Sequence, residues 1–315
     1  MGRAVSDLPA ALADVLGSSS MYESAVRLGV FLAFAALGEL VAEKAGTINI
    51  SVEGALLAGA FAGAAGRSAT GSMWLGLAAG VGGGLLVALI QSNMSHRLAA
   101  DQFVVGLAVN VLVLGLAGFL SSGMDLVGGR ADVVEVPLLS EIPIIGPALF
   151  GQTWPTYLLY PLIPLTWWLL YRTRWGLEVR SAGESPLSAD ASGVDVNKRR
   201  REAVCYMGLL SGLGGAFLVL GQIGFYDNGA VGGRGFIAVA AVYFGAWRLR
   251  GVLLGAAVFG LADALRLAVP VLGYRINAQL LAALPYVATL VVMYAITKEL
   301  RQPAALAKPF VRGMR

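Results

Sequence analysis

Hydrogen-bonding side chains recur where glycines interrupt the apolar runs of this chain. Asn49 and the carboxylate Glu53 lie in one glycine-rich stretch, Asn228 lies in another, and Asn110 falls within an apolar run. Phe236 follows the second stretch and offers a flat apolar face. Amides beside an aromatic ring suit a hydroxyl-rich or heterocyclic solute, so these five residues are candidates for a solute path. The alternative is that the amides cap broken helices and the ring fills the interior.

A second candidate site is a short helix within a long basic loop. Ser185 suits the N-cap of a helix, Pro186 suits its first turn, and Gly193 suits the residue that follows its end. A single helix of about seven residues is unstable in water. The pattern therefore predicts a docking partner, with Ala189 and Asp190 in the contact. The alternative is a helix resting on lipid headgroups, for which these side chains offer little apolar surface.

The other charged residues of the apolar runs form no relay along one helix. Glu39 and Glu43 are one helical turn apart, and Asp263 and Arg266 are three residues apart. The second pair shares a helical face, so its charges can neutralise each other. We expect these groups to be satisfied within a helix bundle.

Catalytic and metal-binding chemistry find little support in the sequence. The chain has one cysteine and one histidine, too few for a zinc, haem or iron–sulfur site. It lacks the phosphate-binding loop G-x-x-x-x-G-K-[ST]. The apolar runs contain no nucleophile–base pair, which disfavours an intramembrane enzyme. We predict no catalytic residue, no metal and no cofactor on this chain.

The composition predicts an integral membrane protein. Hydrophobic residues make up 57% of the 315 residues and charged residues only 13%, against about 25% charged in soluble domains. Such a chain lacks the charge to cover a water-facing surface. The same numbers exclude a disordered chain, a coiled coil, a nucleic-acid-binding protein and a disulfide scaffold.

Apolar runs of about 20 residues, the length that crosses a bilayer, occur eight times. A ninth run has twelve residues and follows the second glycine-rich stretch, 224–235. The predicted spans are residues 24–43, 48–65, 73–92, 103–122, 154–171, 203–222, 252–269 and 280–297, with 236–247 as the short one.

Basic residues predict the topology. They concentrate in the loop 172–202 and after residue 297, so the positive-inside rule places both in the cytoplasm. An even number of crossings must separate them, so the short run crosses as an incomplete helix. The result is an all-α helix bundle of about nine crossings, with the N-terminus outside and the C-terminus cytoplasmic. Its parts are an external segment 1–20, a transmembrane domain 21–300 with the external loop 123–153 and the cytoplasmic loop 172–202, and a basic cytoplasmic tail 301–315.

The order of the spans suggests an inverted repeat. Four spans, one linker span at 154–171 and four more place the second quartet in the opposite orientation. The glycine-rich stretches 46–54 and 224–235 follow the first span and the sixth, at matching places. Paired broken helices in inverted halves predict a substrate route near the middle of the membrane.

Five motifs in order resemble the permease subunits of bacterial ABC importers for nucleosides and simple sugars, in the branched-chain amino acid and ribose permease family. The chain is similar to the shorter of the two permeases of nucleoside importers, from about residue 22 to residue 300. It departs from the family pattern at Ser181 and Ser185, and at Arg248 and Arg250, where a proline-containing turn is missing. The motifs are GELVAEKAGTINISVEG at 38–54, DQFVVGLAVN at 101–110, PLLSEIPIIG at 137–146, RTRWGLEVR at 172–180 and GRGFIAVAAVYFG at 233–245.

The resemblance implies a transport subunit of the bacterial cytoplasmic (inner) membrane. It implies a heterodimer with a second permease subunit, an external substrate-binding lipoprotein, and a cytoplasmic ATP-binding subunit in whose groove the loop helix docks. Solute import would use ATP hydrolysis on that partner, which would carry the ATP and magnesium. Nucleosides are the expected cargo, while ribose, purines and flavins suit the same polar lining.

A rival function is an ion- or proton-coupled secondary transporter of a small polar solute. Such transporters also use inverted repeats, and they work without partner subunits. Uptake by this chain alone in proteoliposomes would establish that function.

Overall fold

The computed structural model describes residues 17, 19–126, 129–271, 283, 287 and 302–311. Within these ranges the chain is a bundle of α-helices with one small two-stranded ribbon. Most of the predicted external segment 1–20 and nearly all of the last predicted span, 280–297, lie outside the described residues.

The elements follow one another with few long connections. After the helix Val196–Phe217 the chain continues as a π-helix, Leu218–Ile223, and a 3-10 helix, Trp154–Leu158, leads into the helix Leu159–Arg172. The predicted external loop contains the ribbon, in which Val133–Glu135 pairs antiparallel with Gly151–Thr153. The elements are α1 (Ser19–Lys44), α2 (Val52–Thr70), α3 (Met73–His96), α4 (Gln102–Ser121), β1 (Val133–Glu135), α5 (Ile145–Phe150), β2 (Gly151–Thr153), α6 (Leu159–Arg172), α7 (Arg174–Glu184), α8 (Pro186–Ala191), α9 (Val196–Phe217), α10 (Arg234–Phe244) and α11 (Leu249–Val271).

Helices occupy every predicted span up to residue 269, which confirms the all-α membrane bundle. Within the described part of the chain, five helices are long and apolar enough to cross a bilayer: α1, α3, α4, α9 with its π-helical end, and α11. The number of crossings, the orientation of the termini and the domain boundaries stay predictions.

The core of the bundle lies around α1 and α9. Phe31, Phe34 and Leu37 of α1 are fully buried, and the Phe34 ring packs against Phe217 at the end of α9, with 5.7 Å between ring centroids. A helix that is apolar on all sides belongs inside a bundle or a membrane. By contrast, α4 leaves Phe119 and other apolar side chains exposed, a surface typical of contact with lipid or another subunit.

Glycines allow α2, α3 and α9 to cross at backbone contact. A Cβ atom on Gly59 would overlap the carbonyl of Gly212, one on Gly80 would overlap the carbonyl of Gly59, and one on Gly84 would overlap the carbonyl of Gly208. These glycines recur every four residues, as expected for helices that approach closely in a membrane. These glycines therefore act as packing spacers between the three helices.

The chain breaks at both predicted glycine-rich stretches. After α1, Gly46 adopts φ +89° and an irregular segment leads to α2; after the π-helix, Gly224 adopts φ +90° and another irregular segment leads to α10. We call residues 45–51 the first break and residues 224–233 the second break. Their matching positions agree with an inverted repeat, which itself stays a prediction.

The short span ends earlier than predicted. The helix α10 stops at Phe244 rather than at Trp247, and Ala246 and Trp247 turn the chain with φ of 49° and 55°. The physical reason is tertiary, since the Trp247 side chain turns inward and is only 1% exposed.

Candidate functional site

Glu53 links the start of α2, which follows the first break, to the start of α10, which follows the second break. It lies in the first turn of α2, and its Oε1 and Oε2 accept hydrogen bonds from the backbone N–H groups of Gly233 at 2.8 Å and Gly235 at 2.7 Å. The first N–H groups of a helix lack internal partners and attract negative charge. Gly233, the N-cap of α10, has no side chain to supply an acceptor. Glu53 therefore caps α10 from the other half of the chain.

Gly235 is needed for this contact. A Cβ atom there would lie 2.6 Å from the Cα atom of Glu53. The absence of a side chain at this position lets the start of α10 reach the carboxylate.

Asn110 fixes the first break to α4. Its Oδ1 accepts from the backbone N–H of Gly54 at 2.8 Å, and its Nδ2 donates to the carbonyl of Ile50 at 2.9 Å. The close packing of α4 here depends on Gly106, where a Cβ atom would lie 2.8 Å from that of Ile50. The amide thus satisfies backbone groups that an irregular segment leaves unpaired.

Asn49 bonds to the backbone and side chain of its own segment. It is fully buried, and its Oδ1 accepts from the backbone N–H of Ser51 at 3.1 Å and from the Ser51 hydroxyl at 2.7 Å. Side chains that bond to the backbone two residues on typically stabilise turns. The contacts of Asn49 and Asn110 agree with the alternative stated above, in which amides cap broken helices. Contact of Asn49, Glu53 and Asn110 with a solute stays a prediction.

Asn228 and Phe236 have a different environment. The Tyr226 hydroxyl donates to Asn228 Oδ1 at 2.9 Å, and Asn228 Nδ2 lies beside Gly118 of α4. Asn228 is half-buried, and Phe236 is exposed, as is Phe225 in the second break. Of the five predicted path residues, these two combine a polar group and a ring at the surface of the bundle. Their contact with a solute stays a prediction.

A charged triad holds the start of α10 from the other side. Arg234 Nη2 lies 3.0 Å from Asp263 Oδ2, and Arg266 Nε lies 2.9 Å from Asp263 Oδ1. The predicted pairing of Asp263 with Arg266 is confirmed. The tertiary structure adds Arg234, which no spacing rule connects to α11.

Glu39 and Glu43 form a buried carboxyl pair near the first break. Both are fully buried; Glu43 Oε2 accepts from the Trp247 indole N–H at 2.5 Å, and Glu39 Oε1 accepts from the backbone N–H of Asn49 at 3.3 Å. Their other oxygens have no hydrogen-bond partner among the described residues. A single proton shared between the two carboxyls would satisfy both. Sequence reasoning missed Trp247, which has no local signal for this contact.

The predicted loop helix exists as α8, with two differences. It is not isolated, because α7 precedes it directly and packs against it. Ser185 occupies the N-cap, but its hydroxyl donates to the Ser188 hydroxyl at 2.8 Å and does not cap the backbone. Pro186 is the first helical residue, and Gly193 follows the end of the helix with φ +86°, as expected.

The two predicted contact residues of α8 differ in exposure. Ala189 is 4% exposed and packs with Ala182 of α7 and Val196 of α9. Asp190 is half-buried, while Leu187 is 61% exposed. The surface that α8 presents outward is therefore centred on Leu187, and Ala189 supports the helix from inside.

Comparison with known proteins identifies the chain as a transport component. Residues 21–297 match the family of branched-chain amino acid transport system permease components. The chain belongs to this permease family.

Several curated permeases are similar to this permease over nearly their whole length. A putative glucose ABC transporter permease of Haloferax volcanii is 33% identical, covering 94% of this chain and 99% of its own. A guanosine ABC transporter permease of Bacillus subtilis is 32% identical over 90% of this chain and 94% of its own. A nucleoside ABC transporter permease of Lactococcus lactis is 32% identical over 83% and 87%. No solved structure matches the permease.

The permease is thus a multi-pass membrane protein and a transport subunit. Three of its polar side chains bond to other groups of the same protein. Glu53 and Asn110 hold the breaks, and Asp263 holds α10. This arrangement keeps short, interrupted helices in defined positions inside a bundle.

Proposed function

We propose that the permease imports nucleosides as the membrane subunit of an ABC importer. The observation that carries this proposal is the similarity, over most of the chain, to permeases named for guanosine and for nucleosides. The pair of broken helices joined at Glu53 supports it, because transporters place substrate routes at such elements. Simple sugars are the second candidate cargo, because the permease of Haloferax volcanii is named for glucose and matches as well.

ATP hydrolysis on a separate cytoplasmic subunit would energise import. That subunit, with its ATP and magnesium, would dock on α8, where Leu187 offers an exposed apolar side chain. Apolar side chains at the centre of an interface supply much of its binding energy. A second permease subunit would pack in the membrane, and the exposed apolar face of α4 is available for it or for lipid. An external substrate-binding lipoprotein would meet the loop 123–153.

The proposed setting is the bacterial cytoplasmic membrane, with the N-terminus outside and α8 in the cytoplasm. Asn228 and Phe236 are the proposed solute contacts, since both retain surface in the folded bundle. Replacing the amide by Leu and the ring by Ala should raise the apparent KM for the cargo.

The experiment is uptake by the complex that co-purifies with the permease, reconstituted in proteoliposomes. Radiolabelled guanosine is offered with ATP inside, and unlabelled nucleosides, ribose, glucose and free bases compete. Uptake that needs ATP hydrolysis and is blocked by nucleosides alone supports the proposal. Competition by free sugars moves the cargo to sugars, and uptake that follows an ion gradient without ATP overturns the ABC importer function.

A further inference from the structure

Arg200 is a buried cation that joins three distant parts of the permease. Its side chain is fully buried in the first half of α9. Nε donates to the carbonyl of Ala45 at 3.0 Å, Nη1 donates to that of Lys308 at 2.7 Å, and Nη2 donates to that of Ala182 at 3.2 Å. Within the described ranges, no carboxylate forms an ion pair with it.

A guanidinium group suits bonding to several separate carbonyl groups better than any other side chain. It carries five N–H donors in a rigid planar fork, so it can bond to carbonyl groups that lie in different directions. A buried charge is costly unless it is hydrogen-bonded. Nη2 also donates to the carbonyl of Ala305 at 3.5 Å. These carbonyl groups satisfy Arg200 only when the first break, α7 and the C-terminal segment are all in place.

The C-terminal segment, residues 302–311, is built into this contact. The backbone N–H of Ala305 donates to the carbonyl of Gly183 at 2.9 Å, and that of Ala307 donates to the carbonyl of Gly46 at 3.1 Å. Gly46 has no room for a side chain, because a Cβ atom would lie 2.8 Å from Arg200 Nη2 and 3.2 Å from the carbonyl oxygen of Ala305. The segment therefore bridges α7 and the first break.

The same segment supports α8. Phe310 packs against the cluster formed by Ala182, Ala189 and Val196, and the carbonyl of Phe310 accepts from Asn197 Nδ2 at 3.3 Å. A six-residue helix is too short to be stable alone. Its position depends on what lies beneath Ala189, and the C-terminal segment is part of that support.

We propose that Arg200 is a positioning residue for energy coupling: with the C-terminal segment, it holds α8 in place for the ATP-binding subunit and ties α8 to the first break. This inference rests on the proposed function. A displacement of α8 is then transmitted through Arg200 to Ala45 and Gly46. From these residues it is transmitted to α2 and to the contact of α2 with α10. The C-terminal segment therefore takes part in energy coupling.

The first test measures how firmly α8 is held in the permease alone, without any partner subunit. Hydrogen exchange of the purified full-length permease is compared with that of Arg200→Met, of Arg200→Lys and of a chain ending at residue 301. We expect the amides of 186–194 to exchange about tenfold faster in Arg200→Met and in the truncated chain, with α3 unchanged. Lysine supplies one point charge, so Arg200→Lys should restore little of the slow exchange at 186–194. Unchanged exchange at α8 overturns the inference.

The second test measures coupling in the reconstituted complex. Arg200→Met is expected to lower the number of guanosine molecules imported per ATP hydrolysed by about tenfold, within the usual range of coupling between sites. Truncation at residue 301 should have a similar effect, and the two changes together should be less than additive because they remove one shared contact. Lys198→Gln, at an exposed position two residues earlier in α9, is the matched control and should transport normally.

The outcomes separate this inference from the proposed function. A wild-type complex without ATP-driven uptake overturns the proposed function, whatever α8 does. A wild-type complex that transports, together with an Arg200→Met complex that imports the same number of molecules per ATP, overturns the coupling role alone. If Arg200→Met does not assemble, Phe310→Ala removes the support beneath Ala189 and tests the same prediction, since equal import per ATP would again overturn it.

Discussion

Glu53, Asn49 and Asn110 are occupied by groups of the protein itself. Asn49 lies in the first break, Glu53 in the first turn of α2 and Asn110 within α4. Each bonds to backbone groups in a break or at the start of a helix, where the helix itself supplies no partner. Unpaired backbone groups are expensive within a membrane protein. These side chains therefore stabilise the breaks. We expect them to influence transport indirectly, by holding α10 and the first break in position.

Replacement of Glu53 by Ala tests this role. The change leaves two N–H groups at the start of α10 without acceptors, and we expect a loss of about 0.5–2 kcal/mol in stability, the usual effect of removing a helix cap. Thermal unfolding of the purified permease measures it. Glu135→Gln, at an exposed position in β1, is the control. Equal unfolding temperatures for Glu53→Ala and the wild type would contradict the capping role.

The buried carboxyl pair gives a second prediction at this scale. Glu43→Ala removes the acceptor of the Trp247 indole N–H, and we expect a cost of about 1–3 kcal/mol for the unsatisfied buried donor. Glu39→Gln should be far milder, because an amide can donate where we infer a shared proton. Denaturation of both variants in the same detergent provides the comparison. A larger loss in Glu39→Gln than in Glu43→Ala would refute the shared proton.

Among the elements, α8 has one face that points outward and one that packs against the rest of the protein. Leu187 points outward while Ala189 packs against α7 and α9, so the two neighbouring positions should respond differently to substitution. The sequence alone placed Ala189 in a docking contact, because a short helix with little apolar surface needs a partner other than lipid. In the tertiary structure, the small side chain of Ala189 packs inside the loop against Ala182 and Val196.

Paired substitutions in α8 test the separation. Leu187→Asp should weaken binding of the ATP-binding subunit about tenfold, or about 1.4 kcal/mol, and leave the unfolding temperature of the permease unchanged. Ala189→Leu should lower that temperature, because overpacking costs about 1–3 kcal/mol. Co-purification and thermal unfolding report the two effects. A stable Ala189→Leu variant with intact binding would argue against the buried position of Ala189.

The whole molecule depends on close approach of its central helices. The crossing of α2, α3 and α9 allows no Cβ atom at several glycines. Because the helices touch through their backbones, a change of one methyl group acts on the complete bundle.

Two glycines of α3 form a matched pair for this prediction. A Cβ atom on Gly80 would overlap Ala216 and lie 2.8 Å from the carbonyl oxygen of Gly59, while one on Gly82 meets nothing within 4 Å. Gly80→Ala should destabilise the permease by about 1–3 kcal/mol. Gly82→Ala should be neutral or slightly stabilising, by up to about 1 kcal/mol, since alanine favours helices. Equal stability of the two variants would refute the close crossing.

The sequence by itself determined the class of the protein, the helices and the places where they break. Apolar run length, glycine spacing and the Ser185–Pro186–Gly193 pattern are local properties, and they predicted the spans, the two breaks and α8. Only the tertiary structure decided what the polar residues contact, because Glu53 and Gly233, Glu43 and Trp247, or Arg200 and Lys308 are far apart in sequence. No spacing rule joins such pairs, since their meeting depends on how the helices pack. The end of α10 was misplaced for the same reason: burial of Trp247 against Glu43 stops a helix that its composition would continue.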